Sequence, residues 1–201
     1  MNGSSNGPRP YRLSPAEPAE VLSHVDELHR IYRACFADPP WSEDEATLAA
    51  FPQRLAHQMA HPGAHGILAE DPDNVGRVAG AVYGWPAGDA LPSGTEFDDA
   101  LAAAAPPSSA ALLTAPALVV AELMVHPVHR RRGLAREMLD RYLAGWSHAW
   151  LCTHPHAPAA ALYESLGWRA QFGFTVGELP LVVYLWRAVT PATPTPLDTV
   201  A

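Results

Sequence analysis

Leu123-Met124-Val125-His126-Pro127-Val128-His129-Arg130-Arg131-Arg132-Gly133-Leu134-Ala135-Arg136 joins an apolar run to a helical pattern, and it carries four arginines and no acid. The chain around it is acidic, with a net charge of −8. A helix that starts after such a turn leaves its first backbone N–H groups without partners, and its dipole is positive there. A strand-to-helix turn of this kind is a ready site for a pyrophosphate. Gly133 lets backbone approach a phosphate closely, Ala135 removes a second obstruction, and the arginines add charge. On spacing alone a solvated basic helix start explains the segment equally well, since short phosphate loops are common false positives.

Upstream, Ala117 to Val125 is a mostly apolar run that suits a strand buried on both faces. Downstream, Leu134, Met138, Tyr142 and Leu143 recur at helical spacing, predicting a helix from Gly133 to about Trp146. Ala149 to Thr153 reads as a short strand. Pro158 to Leu166 reads as a helix closed by Gly167, and Leu181 to Trp186 as a last strand. Strand–helix–strand–helix–strand is the order of an α/β or α+β domain.

In the first half, Tyr11 to Leu13 reads as a short strand, and Ser14 to Glu17 as a capping box. One helix carries the apolar stripe Val21, Leu22, Val25, Leu28, Tyr32, Cys35 and Phe36. Ser42 to Glu45 reads as a second capping box, with three acids at a helix N-terminus, and Pro52 should kink or split the helix that follows. Gly66 to Glu70 and Arg77 to Tyr83 read as strands joined by a turn at Asp71 to Asn74. Residues from about Pro86 to Pro116 are rich in Ala, Pro, Ser and Asp and read as a long loop, functional or partly disordered. Residues 1–10 and 191–201 lack periodicity and read as disordered ends around one domain spanning 11–190.

The 201-residue length suits one domain. All 13 basic residues are Arg, so a Walker lysine, a Schiff-base lysine and a Ser-Lys dyad are excluded. The negative charge and the lack of a basic stripe argue against a nucleic-acid partner. The apolar stretch near Ala111 to Val125 is interrupted by Thr114, Pro116 and Glu122 and cannot span a bilayer. The polar N-terminus and the two cysteines, Cys35 and Cys152, point to a cytoplasmic chain with reduced thiols.

Arg130-x-x-Gly133-x-Ala135 resembles the Gln/Arg-x-x-Gly-x-Gly/Ala signature of the GCN5-related N-acetyltransferase (GNAT) family. Glu122 to Pro127 looks like the end of that family's fourth strand. Ala159-x-x-Leu162-Tyr163-Glu164-Ser165-Leu166-Gly167-Trp168 resembles its second motif. The resemblance is sharp from about Ala121 to Trp168. It implies an α/β (α+β) single domain with a mixed central sheet splayed at its middle and helices on both faces. It implies acetyl-CoA as acyl-donor cosubstrate, no metal, and an amine acceptor. The backbone of Leu123, Met124 and Val125 would pair with the pantetheine arm, and the turn from Arg130 through Arg131, Arg132, Gly133, Leu134 and Ala135 to Arg136 would take the phosphates. The family's proton donor to the departing thiolate falls on Tyr163. An Asn that commonly helps hold the cofactor is replaced by His156. A Glu that some relatives carry on the fifth strand is replaced by Leu151.

Direct acetylation of an amine needs a base, a donor to the developing oxyanion, and an acid for the thiolate. Glu122, the N–H of Val125 and Tyr163 are the candidates. Glu122 read blandly is a strand carboxylate that faces solvent or pairs with an Arg. His57 and His61 at i, i+4 lack the Glu of a zinc peptidase helix and read as surface residues. His126 and His129 also read as surface residues, and Cys35 and Cys152 as core thiols. Phe36 and Trp41 flank a Pro-rich connection that either walls an acceptor pocket or covers the core. Glu43, Asp44 and Glu45 could attract a cationic acceptor, but helix capping explains them without that. A fold of this type that binds acyl-CoA without turning it over is the alternative. The acceptor, a small-molecule amine or a peptide N-terminus, and the oligomeric state, a homodimer included, stay open.

Overall fold

The computed structural model describes residues 10–188, so the chain ends expected to be disordered lie outside the described residues apart from Pro10. Seven strands form one mixed sheet in the order β1-β2-β3-β4-β5-β7-β6. The strands are β1 (Arg12–Ala16), β2 (His65–Glu70), β3 (Val78–Pro86), β4 (Leu118–Val125), β5 (His148–Thr153), β6 (Arg169–Val176) and β7 (Leu179–Arg187). All neighbours are antiparallel except β4 and β5.

Helices cover both faces. On one face α7 (Leu134–Tyr142) and α8 (Pro158–Ser165) bury Leu134, Met138, Leu139 and Tyr163 against Val82, Val120 and Leu151. On the other, α1 (Pro18–Ser23), α2 (Val25–Phe36), α3 (Glu45–Ala49) and α4 (Phe51–Met59) bury Val21, Leu28, Ile31, Phe51 and Leu55 against Ala81, Tyr83 and Met124. Beside them α5 (Glu96–Ala104) and α6 (Pro107–Ala110) lie toward the β5–β7–β6 half, where Leu101 and Leu113 pack with Trp150, Phe174 and Val183.

Several local readings are corrected. The chain stays extended through Ala16, with Pro15 paired to Ile67 on the edge strand, where a missing N–H costs no ladder bond. Ser14 therefore caps nothing, and α1 starts at Pro18. The single helix expected from Val21 to Phe36 breaks at His24 into α1 and α2. The cap of α3 is Asp44, whose carboxylate accepts the Thr47 N–H at 2.7 Å, rather than Ser42. Pro52 splits the following pattern, as expected, at the first turn of α4. The segment from Pro86 to Pro116 is not a bare loop. Thr95 caps α5 by accepting from the Asp98 N–H, and the Trp150 indole donates to the Leu113 carbonyl at 2.9 Å. The strand β6 was not foreseen. Its signal is the alternation Phe172, Phe174, Val176, whose side chains pack under α5.

The centre of the sheet carries the main irregularity. Tyr83 pairs with Glu122, yet the next residue, Gly84, pairs with Val120, so Ala121 is the extra residue of a β-bulge. A bulge bends its strand and increases the local twist. On the other edge of β4, only Leu118 and Val119 pair with β5, to Ala149 and Trp150. Beyond the bulge the two parallel strands part. Gly84 is dictated by this geometry, because a Cβ there would lie 1.9 Å from the Val119 carbonyl oxygen. That contact is with backbone and cannot be relieved by a rotamer change. We expect Gly84→Ala to destabilise the fold by at least about 2 kcal/mol in urea denaturation. An unchanged midpoint would mean that the bulge is not a fixed feature of the sheet.

Candidate active site

Parting β4 from β5 opens a cleft of about 570 Å³ through the middle of the domain. Its walls are Val120 to Leu123 with Val125, Leu151 to Thr153, the first turn of α7, the start of α8, and the α2–α3 connection with Phe36, Pro39, Pro40 and Trp41. The phase of β4 follows from its pairing. The His126 N–H donates to the Ala79 carbonyl at 2.9 Å, and the register continues Ala81 to Met124 and Tyr83 to Glu122. In an antiparallel ladder alternate pairs exchange hydrogen bonds. The backbone groups of Met124 and Glu122 are therefore spent on β3, and those of Leu123 and Val125 point toward the cleft, where β5 no longer reaches them. The Val125 carbonyl accepts from Arg130 Nε at 3.1 Å and from the Cys35 thiol at 3.5 Å. The N–H and carbonyl of Leu123 and the N–H of Val125 remain as cleft-facing groups.

One end of the cleft is built for an anion. Arg131 (φ 65°) and Gly133 (φ 80°) are both left-handed, and Gly133 is the N-cap of α7. Left-handed turns before a helix start gather N–H groups into a concave nest. A Cβ on Gly133 would meet nothing within 4 Å, so open space lies over the nest. Arg130, Arg131, Arg132 and Arg136 are all exposed around it, while Leu134 anchors the helix start in the core at 2% exposure and half-buried Ala135 lines the cleft. This set of groups fits a pyrophosphate. His156 is exposed and lies outside the cleft wall, which at that point consists of Ala157, Pro158 and Ala159.

Glu122 and Tyr163 both line the middle of the cleft. The bulge places Ala121 and Glu122 on the face of α2 and α4. Glu122 is half-buried on the cleft wall and forms no ion pair among the described residues. Burial pushes its carboxyl up to about 8; Arg54 draws it down and Glu43 adds to the rise. Around it stand groups the sequence did not single out. The Tyr32 hydroxyl lies 2.6 Å from both Glu43 carboxylate oxygens, the Arg54 guanidinium sits 4.7 Å from the Tyr32 ring centre, and the Tyr83 hydroxyl is buried with no partner among the described residues. Glu43 is thus a partner of Tyr32 and not a helix cap. In the sequence Tyr32 is only part of an apolar stripe, and nothing in the spacing marks Arg54 or Tyr83.

The Tyr163 ring packs between Trp168 and Tyr184, with centroids 5.7 and 6.1 Å away. Its hydroxyl makes no hydrogen bond among the described residues. Burial, and then the charge of Glu122, raise its pKa, so the phenol holds its proton. Cys152 also lines the cleft, and burial raises its thiol, which disfavours a nucleophilic thiolate. Cys35 is half-buried on the cleft wall, not in the core as expected. His129, expected at the surface, is buried at 8% exposure. The pair His57 and His61 meets edge to face at 5.6 Å, and His61 stacks on Trp85. No group of three or more His, Cys, Asp or Glu side chains among the described residues is placed to hold a metal ion.

The family model of the acetyltransferase (GNAT) domain matches residues 63–170, more than half of the chain. Solved structures share the fold at low identity. An acetyltransferase from Thermus thermophilus is 19% identical, with 90% of this chain and 98% of that one covered and a TM-score of 0.58. The PaiA N-acetyltransferase from Thermoplasma acidophilum, solved with coenzyme A, is 9% identical, with coverage of 88% and 99% and a TM-score of 0.55. The ribosomal-protein-S18-alanine N-acetyltransferase from Escherichia coli is 16% identical, with coverage of 92% and 99% and a TM-score of 0.55. No curated protein sequence matches the chain.

The raised Glu122 carboxyl has a consequence for stability. Between its ordinary value of 4.5 and about 8 the folded protein keeps a proton that the unfolded chain has lost. Stability contributed by this group therefore falls as pH rises through that window. Glu122→Gln, which is neutral and nearly isosteric, should match the wild type in melting temperature near pH 5 and exceed it progressively toward pH 9. Parallel curves across that range would show that Glu122 is not held neutral by its surroundings.

Proposed function

This chain belongs to the GNAT acetyltransferase family, and we propose that it transfers an acetyl group from acetyl-CoA to an amine acceptor by direct attack. The observation that carries this reading is the placement of Glu122, a carboxyl whose pKa burial raises to about 8, and Tyr163, a phenol without a hydrogen-bond partner among the described residues, in one cleft lined also by an anion nest. When bound, acetyl-CoA supplies an activated acyl group on a thiol leaving group. The nest at Arg131 to Gly133 and the surrounding arginines would hold its pyrophosphate, with the cleft-facing groups of Leu123 and Val125 along the pantetheine arm. The Val125 N–H is the candidate donor toward the acyl oxygen.

Glu122 accepts the proton of the attacking amine, directly or through a water. A carboxyl at about 8 is well matched to that task, since it is a stronger base than an ordinary glutamate. Arg54 keeps the value from climbing further. Tyr163 donates its proton to the departing sulfur, and its buried ring fixes where the hydroxyl lies. Phe36, Pro39, Pro40 and Trp41 form an apolar part of the cleft wall and would meet the acceptor. The acceptor proposed is a small amine or a peptide N-terminus. The Arabidopsis NAA60 structure with a bisubstrate analogue and the S18-alanine enzyme support this range by fold alone. One domain over 11–190 and a cytoplasmic setting complete the proposal. No helix among the described residues is long and apolar enough to cross a membrane.

Two measurements test the assignment. With an acceptor amine that is already neutral at pH 6, kcat/KM should rise with pH through about 8, and Glu122→Gln should abolish that limb while leaving acetyl-CoA affinity nearly intact. A limb that persists in the variant removes Glu122 as base. Tyr163→Phe should lower turnover roughly 10²-fold with little change in acetyl-CoA affinity. Near-wild-type turnover together with a lower melting temperature would leave Tyr163 a packing residue only.

A further inference from the structure

The nest at Arg131 to Gly133 is tied to the opposite edge of the sheet by a chain of four side chains. Arg132 Nη1 donates to the Tyr11 hydroxyl oxygen at 3.3 Å. The Tyr11 hydroxyl lies 3.1 Å from His129 Nδ1, with the two rings edge to face at 5.7 Å. His129 Nε2 lies 3.6 Å from Asp71 Oδ2. Asp71 is itself fixed, accepting from the Asp73 N–H at 2.9 Å and the Asn74 side chain at 2.8 Å. His129 and Asp71 are each 8% exposed, so their contact is enclosed, while Tyr11 is half-buried and Arg132 is exposed at the nest.

The chain has a direction. The Tyr11 oxygen accepts from Arg132, so its hydroxyl hydrogen is free to point to Nδ1 of the imidazole. Nδ1 is then the acceptor, and Nε2 carries the ring proton toward the Asp71 carboxylate. Each member is thereby oriented by the next, from the turn of the β2–β3 hairpin to the guanidinium at the nest. The turn needs such support. Arg131 is a non-glycine residue in the left-handed region, a strained conformation that persists only where surrounding structure holds it. His129 sits two residues before it, closing the short 3-10 turn Pro127–His129 and lining the cleft.

We propose that Tyr11, His129 and Asp71 are positioning residues for acetyl-CoA: they hold the phosphate turn in its binding shape and present Arg132 to the pyrophosphate. This rests on the acetyltransferase reading above. None of the three touches the reacting atoms, so their effect is confined to donors that carry the pyrophosphate.

The test compares two acyl donors, acetyl-CoA and acetyl-pantetheine, the second lacking the pyrophosphate. Tyr11→Phe keeps the half-buried ring and removes only the hydroxyl that joins Arg132 to His129. We expect KM for acetyl-CoA to rise roughly tenfold, ~1.4 kcal/mol, with kcat unchanged and with KM for acetyl-pantetheine unchanged. Asp71→Asn, which keeps the side-chain shape but weakens the end of the chain, should move the same parameter in the same direction by less. An equal rise in KM for both donors in Tyr11→Phe, or no rise for either, overturns the relay while leaving the acetyltransferase reading in place. Wild-type protein that uses neither donor overturns that reading and the relay with it.

Discussion

Two backbone pairs, Leu118 with Ala149 and Val119 with Trp150, are all that join β4 to β5, and the rest of the molecule is arranged around the gap that follows. A sheet normally resists such a gap, because buried backbone groups without partners are costly. Here the cost is localised by the bulge at Ala121, which turns β4 away from β5 within one residue. Gly84 makes room for that turn against the Val119 carbonyl. The helices then keep the parted halves together. The α7–α8 face spans the gap from one side, and on the other Trp41 and Trp85 pack against both the α1–α4 core and the core under α5. The cleft is thus a defect in sheet pairing that packing on both faces holds open.

The same defect sets the electrostatics. By placing Ala121 and Glu122 on one face, the bulge directs an acidic residue into the enclosed ground between Tyr32, Tyr83 and Arg54. Glu43 stands close by, so two carboxyls share the influence of one guanidinium, and burial raises both. A carboxyl kept neutral in this way becomes a liability when pH rises. Stability and reactivity therefore pull in opposite directions at Glu122. That opposition is common where buried charge is retained for chemistry.

The phosphate end shows a different economy. The local sequence supplies a helix start, a glycine and arginines. The side chains packed against the turn come from residues far away in the chain, since Tyr11 immediately precedes β1 and Asp71 lies in the β2–β3 turn. Fixing a left-handed Arg131 costs conformational energy, and the enclosed contacts of His129 offset it.

What the sequence determined by itself was local and periodic. The helical stripes of α2 and α7, the apolar run of β4, the split at Pro52, and the glycine and arginines of the turn all follow from residue type and spacing. So did the family resemblance from about Ala121 to Trp168, which placed Tyr163 and Glu122 in the argument. Boundaries set by single residues were less legible. Pro15 suits an edge strand as well as a helix start, and Asp44 competes with Ser42 for the cap, so neighbouring strands and turns decided them. The helices α5 and α6 were hidden in an Ala-rich stretch whose weak amphipathic pattern gains meaning only against Phe174 and Trp150. Only the tertiary structure decided where polar groups meet. The approach of Arg54 and Tyr83 to Glu122, and of Asp71 to His129, joins positions tens of residues apart. No periodicity encodes such pairings, because they arise from the order of strands in the sheet and from one extra residue in β4.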